Sequence, residues 1–231
     1  MTDFHWSVIS ARRPGNVPLM MERTEGVDLY WYVTEEDVDN YRAAGAEHVL
    51  VGGNLCESRN LAIDDAQGLG LPCVELSDDL RRVKRKEASG ALPEITVMDA
   101  AEEIWTQMSG LGARLGGCSP TSNAYFAHNE VKLAGFVVGD FIVVGDTDLR
   151  FDEEMTLKED YDYTCQHLAR YGLVARCDLI LAEFAHRSNA GGAVAYRTGE
   201  RERDMIRHLM KKWPGKFRMN PKRANEVILR W

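Results

Sequence analysis

No stretch of this 231-residue sequence approaches the apolar length needed to span a bilayer. Its opening, MTDFHWSVISARRPG, carries an acid at position 3 and no apolar core, so no signal peptide is expected and the location expected is the cytoplasm. Cysteine is sparse: Cys56, Cys73, Cys118, Cys165 and Cys177 are odd in number and form no CxxC, which argues against a disulfide framework and reads as reduced thiols in the core. The dinucleotide fingerprint GxGxxG is also missing; Gly52-Gly53 follows an apolar run without it. Cations do not dominate either. The formal charge is −8, which excludes a protein coated uniformly for nucleic acid. That charge is uneven, however. Residues 197–231 hold eleven Lys/Arg against four Asp/Glu, a surplus of +7, leaving −15 on the other 196. A basic tail on an acidic body can mark a polyanion-binding face.

What is present is 45% hydrophobic and 28% charged residues, enough for one substantial core. WSVIS (6–10) reads as a first strand, followed by the turn Ala11–Pro18 with no helix expected in that link. DLYWYV (28–33) reads as a second strand. Thr34 is expected to cap a helix that Gly45 ends, and HVLV (48–51) is a third strand. Leu61, Ala62, Ala66 and Leu69 fall at helical spacing, Gly68, Gly70 and Pro72 stop that helix, and CVEL (73–76) reads as a strand closing on Asp78-Asp79. The alternation predicts an α/β fold with a mostly parallel sheet. Further on, 96–109 predicts an amphipathic helix, FVVGDFIVV (136–144) a hairpin over Gly139-Asp140, 159–172 a helix, 174–184 one strand, and 197–213 a basic helix.

Ligands of open α/β sheets bind beyond the carboxyl ends of the strands. An acid pair there suits a hard divalent cation, and the Arg12-Arg13 turn suits a nucleotide phosphate or base. A second acid-rich stretch holds six acids between Asp152 and Asp162. Glu159 and Asp160 open its helix, where a carboxylate could act as a general base toward a hydroxyl. His186, before the Gly-rich NAGG, is a possible metal ligand. The run Arg81–Lys86 is expected as an exposed basic loop, with Arg81, Arg82 and Lys84 able to meet phosphates. Arg203, Arg207 and Lys211 stand four residues apart as a basic stripe on the tail helix.

Taken in order, the basic turn after the first strand, SRN (58–60) on a helix, a strand ending in Asp-Asp, KEDYD (158–162) and a late His before NAGG resemble a GT-A glycosyltransferase. More narrowly, they resemble the TET-associated DNA glycosyltransferases of bacteriophages. The resemblance spans roughly Val8 to Val194. It implies a GT-A-like mostly parallel sheet with helices on both faces, as a single domain (1–196) with a C-terminal basic helical tail (197–231). It also implies a UDP-sugar donor, a divalent metal (Mn²⁺ or Mg²⁺), and an acceptor hydroxyl on a 5-hydroxymethylpyrimidine of DNA, in the host cytoplasm if the chain is phage-encoded. By it, Asp79 and His186 hold the metal. Ser10, Arg12, Arg13, Arg59, Asp78 and Asn123 line the nucleotide-sugar pocket, and Asp160 with Glu159 supplies the base. Ser77 stands where the family's metal motif has its first acid. Two other readings share these residues: a transferase of the same fold acting on a small molecule or protein, and a non-catalytic nucleic-acid-binding module.

Overall fold

The computed structural model describes residues 2–185 and 198–231. Its centre is an eight-stranded sheet. Strands β1 (His5–Ile9), β2 (Leu29–Val33), β3 (His48–Val51) and β4 (Cys73–Ser77) run parallel. They are joined by α1 (Val17–Arg23), α2 (Val38–Ala43) and α3 (Leu55–Gly68). After the second sheet described below, α4 (Val97–Leu111) leads to β7 (Leu115–Cys118), the two-residue β8 (Val131–Lys132) and β9 (Phe141–Val144); α5 (Glu159–Tyr171) and β10 (Ala175–Cys177) follow. The sheet order is β3-β2-β1-β4-β9-β7-β10-β8, with β8 and β9 antiparallel to the rest. The sheet is thus mostly parallel, as the alternation predicts.

Two apolar layers sandwich it. Val17 and Met20 of α1 and Ile104 and Met108 of α4 pack on one face with Val8, Val74 and Val143. Ala62, Ile63 and Ala66 of α3 and Tyr163 and Leu168 of α5 pack on the other with Ile142 and Val144. Buried on both faces, β9 must be a continuous apolar run rather than an alternating one. Local chemistry sets the helix ends. Asn54 caps α3 through the amides of Cys56 and Glu57, while Glu57 accepts the Asn54 amide at 2.7 Å.

Several expectations change. The link after β1 is not helixless: it holds a 3-10 turn (Pro14–Asn16) and α1, whose second residue is Pro18, a position where the missing amide costs nothing. The Gly139-Asp140 hairpin does not form. Both edges of β9 are taken by β4 and β7, so 136–138 has no strand to pair with. The predicted strand 174–184 is two, β10 and β11 (Ile180–Phe184), broken at Asp178. The Arg81–Lys86 run is not an exposed loop but β5 (Leu80–Arg85), between β11 and β6 (Glu94–Ile95) in a second sheet. Leu80 and Val83 are buried there, with the exposed Arg81 and Arg82 between them and the half-buried Lys84 and Arg85 after.

In the C-terminal region, α6 (Gly199–Lys212) buries Ile206 and Leu209 against Met155 and Val227. It is pinned by the buried Asp162, which accepts Trp213 Nε1 at 2.7 Å and Lys212 Nζ at 3.0 Å. The short strands β12 (Phe217–Met219) and β13 (Val227–Leu229) follow as an antiparallel pair. No described helix is long and apolar enough to cross a membrane.

Candidate active site

Strand β1 has β2 on one side and β4 on the other, so the chain order reverses between β1 and β4. At such a reversal the loops leaving adjacent strands turn to opposite faces and open a crevice at their carboxyl ends. A cleft of about 2060 Å³ opens there and runs on to the N-terminus of α5.

One wall is a hydrogen-bonded set from three loops. Arg13 Nη1 lies 2.9 Å from Asp78 Oδ1 and 4.0 Å from Asp79 Oδ2. Ser10 Oγ donates to the other Asp78 oxygen and pairs with the Tyr41 hydroxyl. That hydroxyl also accepts the Arg13 amide at 3.1 Å. The turn is held open by Arg12, which takes a left-handed backbone (φ 58°) while its amide donates to the buried Asp37 carboxylate at 2.6 Å. Asp78 therefore spends both oxygens orienting Arg13 and Ser10 rather than facing a ligand with them.

Toward the N-terminus of α5 the cleft is acidic, with Arg59 and the fully buried Glu75 behind it. Arg59 Nη1 donates to Glu75 Oε2 at 2.5 Å, and its Nη2 donates to the Gly139 carbonyl at 3.0 Å and stands 3.7 Å from Glu159 Oε1. The guanidinium lies 5.1 Å from the centre of the Phe151 ring. Burial raises the Glu75 carboxyl to about 7 even with Arg59 opposing it. Burial, then the neighbouring Asp160, likewise raises Glu159 to about 7. Asp160 is raised by burial and then by Asp140, against the Gly139 amide that donates to its Oδ2 at 3.3 Å. These are the directions a general base working near neutral pH requires. Gly139 is needed for this approach: a Cβ there would stand 2.8 Å from Arg59 Nη2 and 3.2 Å from Asp160 Cβ.

The structure thus brings Ser10, Arg12, Arg13, Arg59, Asp78, Asp79, Glu159 and Asp160 to one cleft. Asn123 is not among the residues lining it; its side chain accepts the Tyr125 amide at 3.0 Å and shapes a turn. Arg82 of β5 donates to Glu183 at 2.8 Å and Arg81 lies 4.0 Å from the same carboxylate, so these two cations partly serve the second sheet; Lys84 sits beside Leu181 in the ladder. Arg203, Arg207 and Lys211 are exposed along α6, as the stripe predicts, with Arg207 paired to Asp204. His186 and Arg197 lie outside the described residues.

Four participants escape the sequence reading. Glu75 looks like the polar half of an alternating strand yet is fully buried. Its signal is an acid inside the apolar run CVEL. Asp140 accepts from Ser77 Oγ at 3.1 Å, putting a carboxylate beside the position where the resemblance lacks its first acid. Gly139 signals a turn in the sequence but not its close approach to Arg59, and Tyr41 carries no local signal.

Among the described residues, the one group of three ligand-type side chains with donor atoms within 4.8 Å of one another is Asp28, Glu47 and His48. It is largely exposed and sits at the start of β2 and β3, the opposite end of those strands from the cleft. Neither protein-family models nor curated proteins yield a match to this chain.

Proposed function

We propose that this chain is a GT-A-like glycosyltransferase that moves a sugar from a nucleotide diphosphate donor, a UDP-sugar, to a hydroxyl acceptor, a 5-hydroxymethylpyrimidine in DNA. One observation carries the reading: a single cleft at the sheet's reversal joins an arginine-and-acid wall from β1 and β4 to the carboxylate pair Glu159-Asp160 at the start of α5. Arg13 would meet the diphosphate. The acceptor hydroxyl would give its proton to Asp160 as its oxygen bonds the anomeric carbon, and the nucleotide diphosphate would leave with the electrons of the broken bond.

The donor set suits a divalent cation by type: Asp79 is a carboxylate at a strand end with Asp140 in the same wall, and hard cations take oxygen ligands. Those acids are not drawn together as a ready-made cluster, and Arg13 already stands 4.0 Å from Asp79. Asp79 would therefore hold Mn²⁺ or Mg²⁺ jointly with the diphosphate, and the ion would offset charge on the leaving group. The test is to incubate the protein with a panel of nucleotide sugars and Mn²⁺, with and without hydroxymethylated DNA, and to measure nucleotide release and sugar on the DNA. Release of nucleotide with no dependence on any DNA would remove the acceptor; no release with any donor would remove the transferase.

A further inference from the structure

Between β7 and β8 the chain makes an excursion that presents two aromatic side chains to solvent. Tyr125 is 87% exposed and Phe126 66%, their rings edge-to-face at 5.0 Å. Exposed aromatics on a slack loop would mean little, but this turn is built. The Asn123 side chain accepts the Tyr125 amide at 3.0 Å, and its carbonyl accepts the amides of Phe126 at 3.0 Å and Ala127 at 3.2 Å. From below, the Lys86 ammonium donates to the carbonyls of Ala124 and Ala127, each at 2.8 Å. A cation and an amide side chain are thus committed to holding two apolar rings in water, against the hydrophobic effect. Pro120 before the turn and Glu130 to Gly135 after it line the cleft, as do Lys158 and Lys132, the latter 3.6 Å from Glu130; Arg176 lines it too but is bound on both sides by Asp178.

We propose that Tyr125 and Phe126 are a stacking platform for unpaired bases of a nucleic acid entering the cleft beside Lys132. Flat rings fixed on a rigid turn beside cations are what single-stranded nucleic acid binds, because every base has a face to stack while the cations meet the backbone. The same rings could hold open a duplex whose target base has left the stack. This rests on the proposed nucleic-acid acceptor and adds where its bases are held.

The experiment measures binding of single-stranded and duplex oligonucleotides carrying 5-hydroxymethylcytosine, by fluorescence anisotropy over a salt series. It compares the wild-type chain with Tyr125→Ala, Phe126→Ala and the double variant. UDP binding and the thermal midpoint serve as controls; both are expected to hold, since the rings bury little. Single-strand affinity is expected to fall about 5- to 150-fold per lost stacked base. The salt slope should stay unchanged, because lost stacking releases no counterions. Wild-type-like affinity in the double variant would overturn the platform while leaving the nucleic-acid reading standing. Failure of the wild-type chain to bind either oligonucleotide at low salt would overturn both. Light scattering adds a third arm: self-association abolished by the double variant, with DNA binding intact, would make the rings a protein contact and overturn the proposal.

Discussion

Arg59→Met tests the buried charge arrangement most directly. Arg59 is 5% exposed and Glu75 0%, so water screens neither, and among the described residues Arg59 is the cation that pairs with Glu75. Removing it leaves a carboxylate in the core with one oxygen already lacking a hydrogen-bond partner among the described residues. Breaking a buried pair from one side costs about 3–5 kcal/mol. For a chain of this size each kcal/mol lowers Tm by about 2–4 °C, so a fall of roughly 6–20 °C is expected. The loss should depend on pH in a set direction. Native Glu75 titrates at about 7 against an ordinary 4.5, so between these values the folded chain holds a proton the unfolded chain has released, and stability falls as pH rises. Without Arg59, which works against that rise, the native value moves higher and the fall extends to higher pH. Arg59→Met should therefore cost more at about pH 8 than at about pH 5. Adding Glu75→Gln should restore part of the loss, with a coupling of about 1–3 kcal/mol in denaturant unfolding. A cost below about 1 kcal/mol, or one equal at both pH values, would refute the reasoning.

Asp160→Asn keeps the size of the side chain and should lower turnover by about 10²–10⁴ with the thermal midpoint nearly unchanged; single-turnover sugar transfer reads it. Activity should be lost as pH falls through the raised Asp160 value. Asp140→Asn, by removing a like charge that helps raise it, should move that acidic limb of kcat/KM to lower pH. Gly139→Ala forces a methyl to 2.8 Å from Arg59 Nη2 and should cost about 1–3 kcal/mol together with turnover, as denaturant unfolding and rate assays would show. Replacing Arg203, Arg207 and Lys211 by Gln should flatten the salt dependence of DNA affinity, by roughly 0.9 in slope per lost phosphate contact, while UDP binding is retained. An unchanged slope would assign α6 a purely structural role.

What the sequence by itself determined is whatever depends on near neighbours. The strands through β4 and the helices α3 to α5 follow from apolar spacing and from the glycines that stop helices, since inward and outward positions are written into the period of each segment. Asp78-Asp79 and Glu159-Asp160 could be picked out because their element ends could be placed. The Asn54 capping box of α3 is a local pattern too, written in residues three apart. Tertiary structure alone decided the pairings. Ser10 meets Asp78 and Ser77 meets Asp140 at the ends of neighbouring strands, and Arg59 of α3 meets Glu75 of β4, over separations of 16 to 68 residues, and no local period encodes which element lies next to which. The same holds where local signals misled. Gly139-Asp140 favours a hairpin on its own, but β4 and β7 occupy both edges of β9. Arg81–Lys86 looks like a solvated run until β11 pairs with it and Glu183 meets its arginines. The acids from Asp152 to Asp162 exceed the needs of one helix start because two of them, Asp152 and Asp162, hold Lys212 of α6. A charge in the sequence reports only that it must be solvated or matched, and the fold supplies the match.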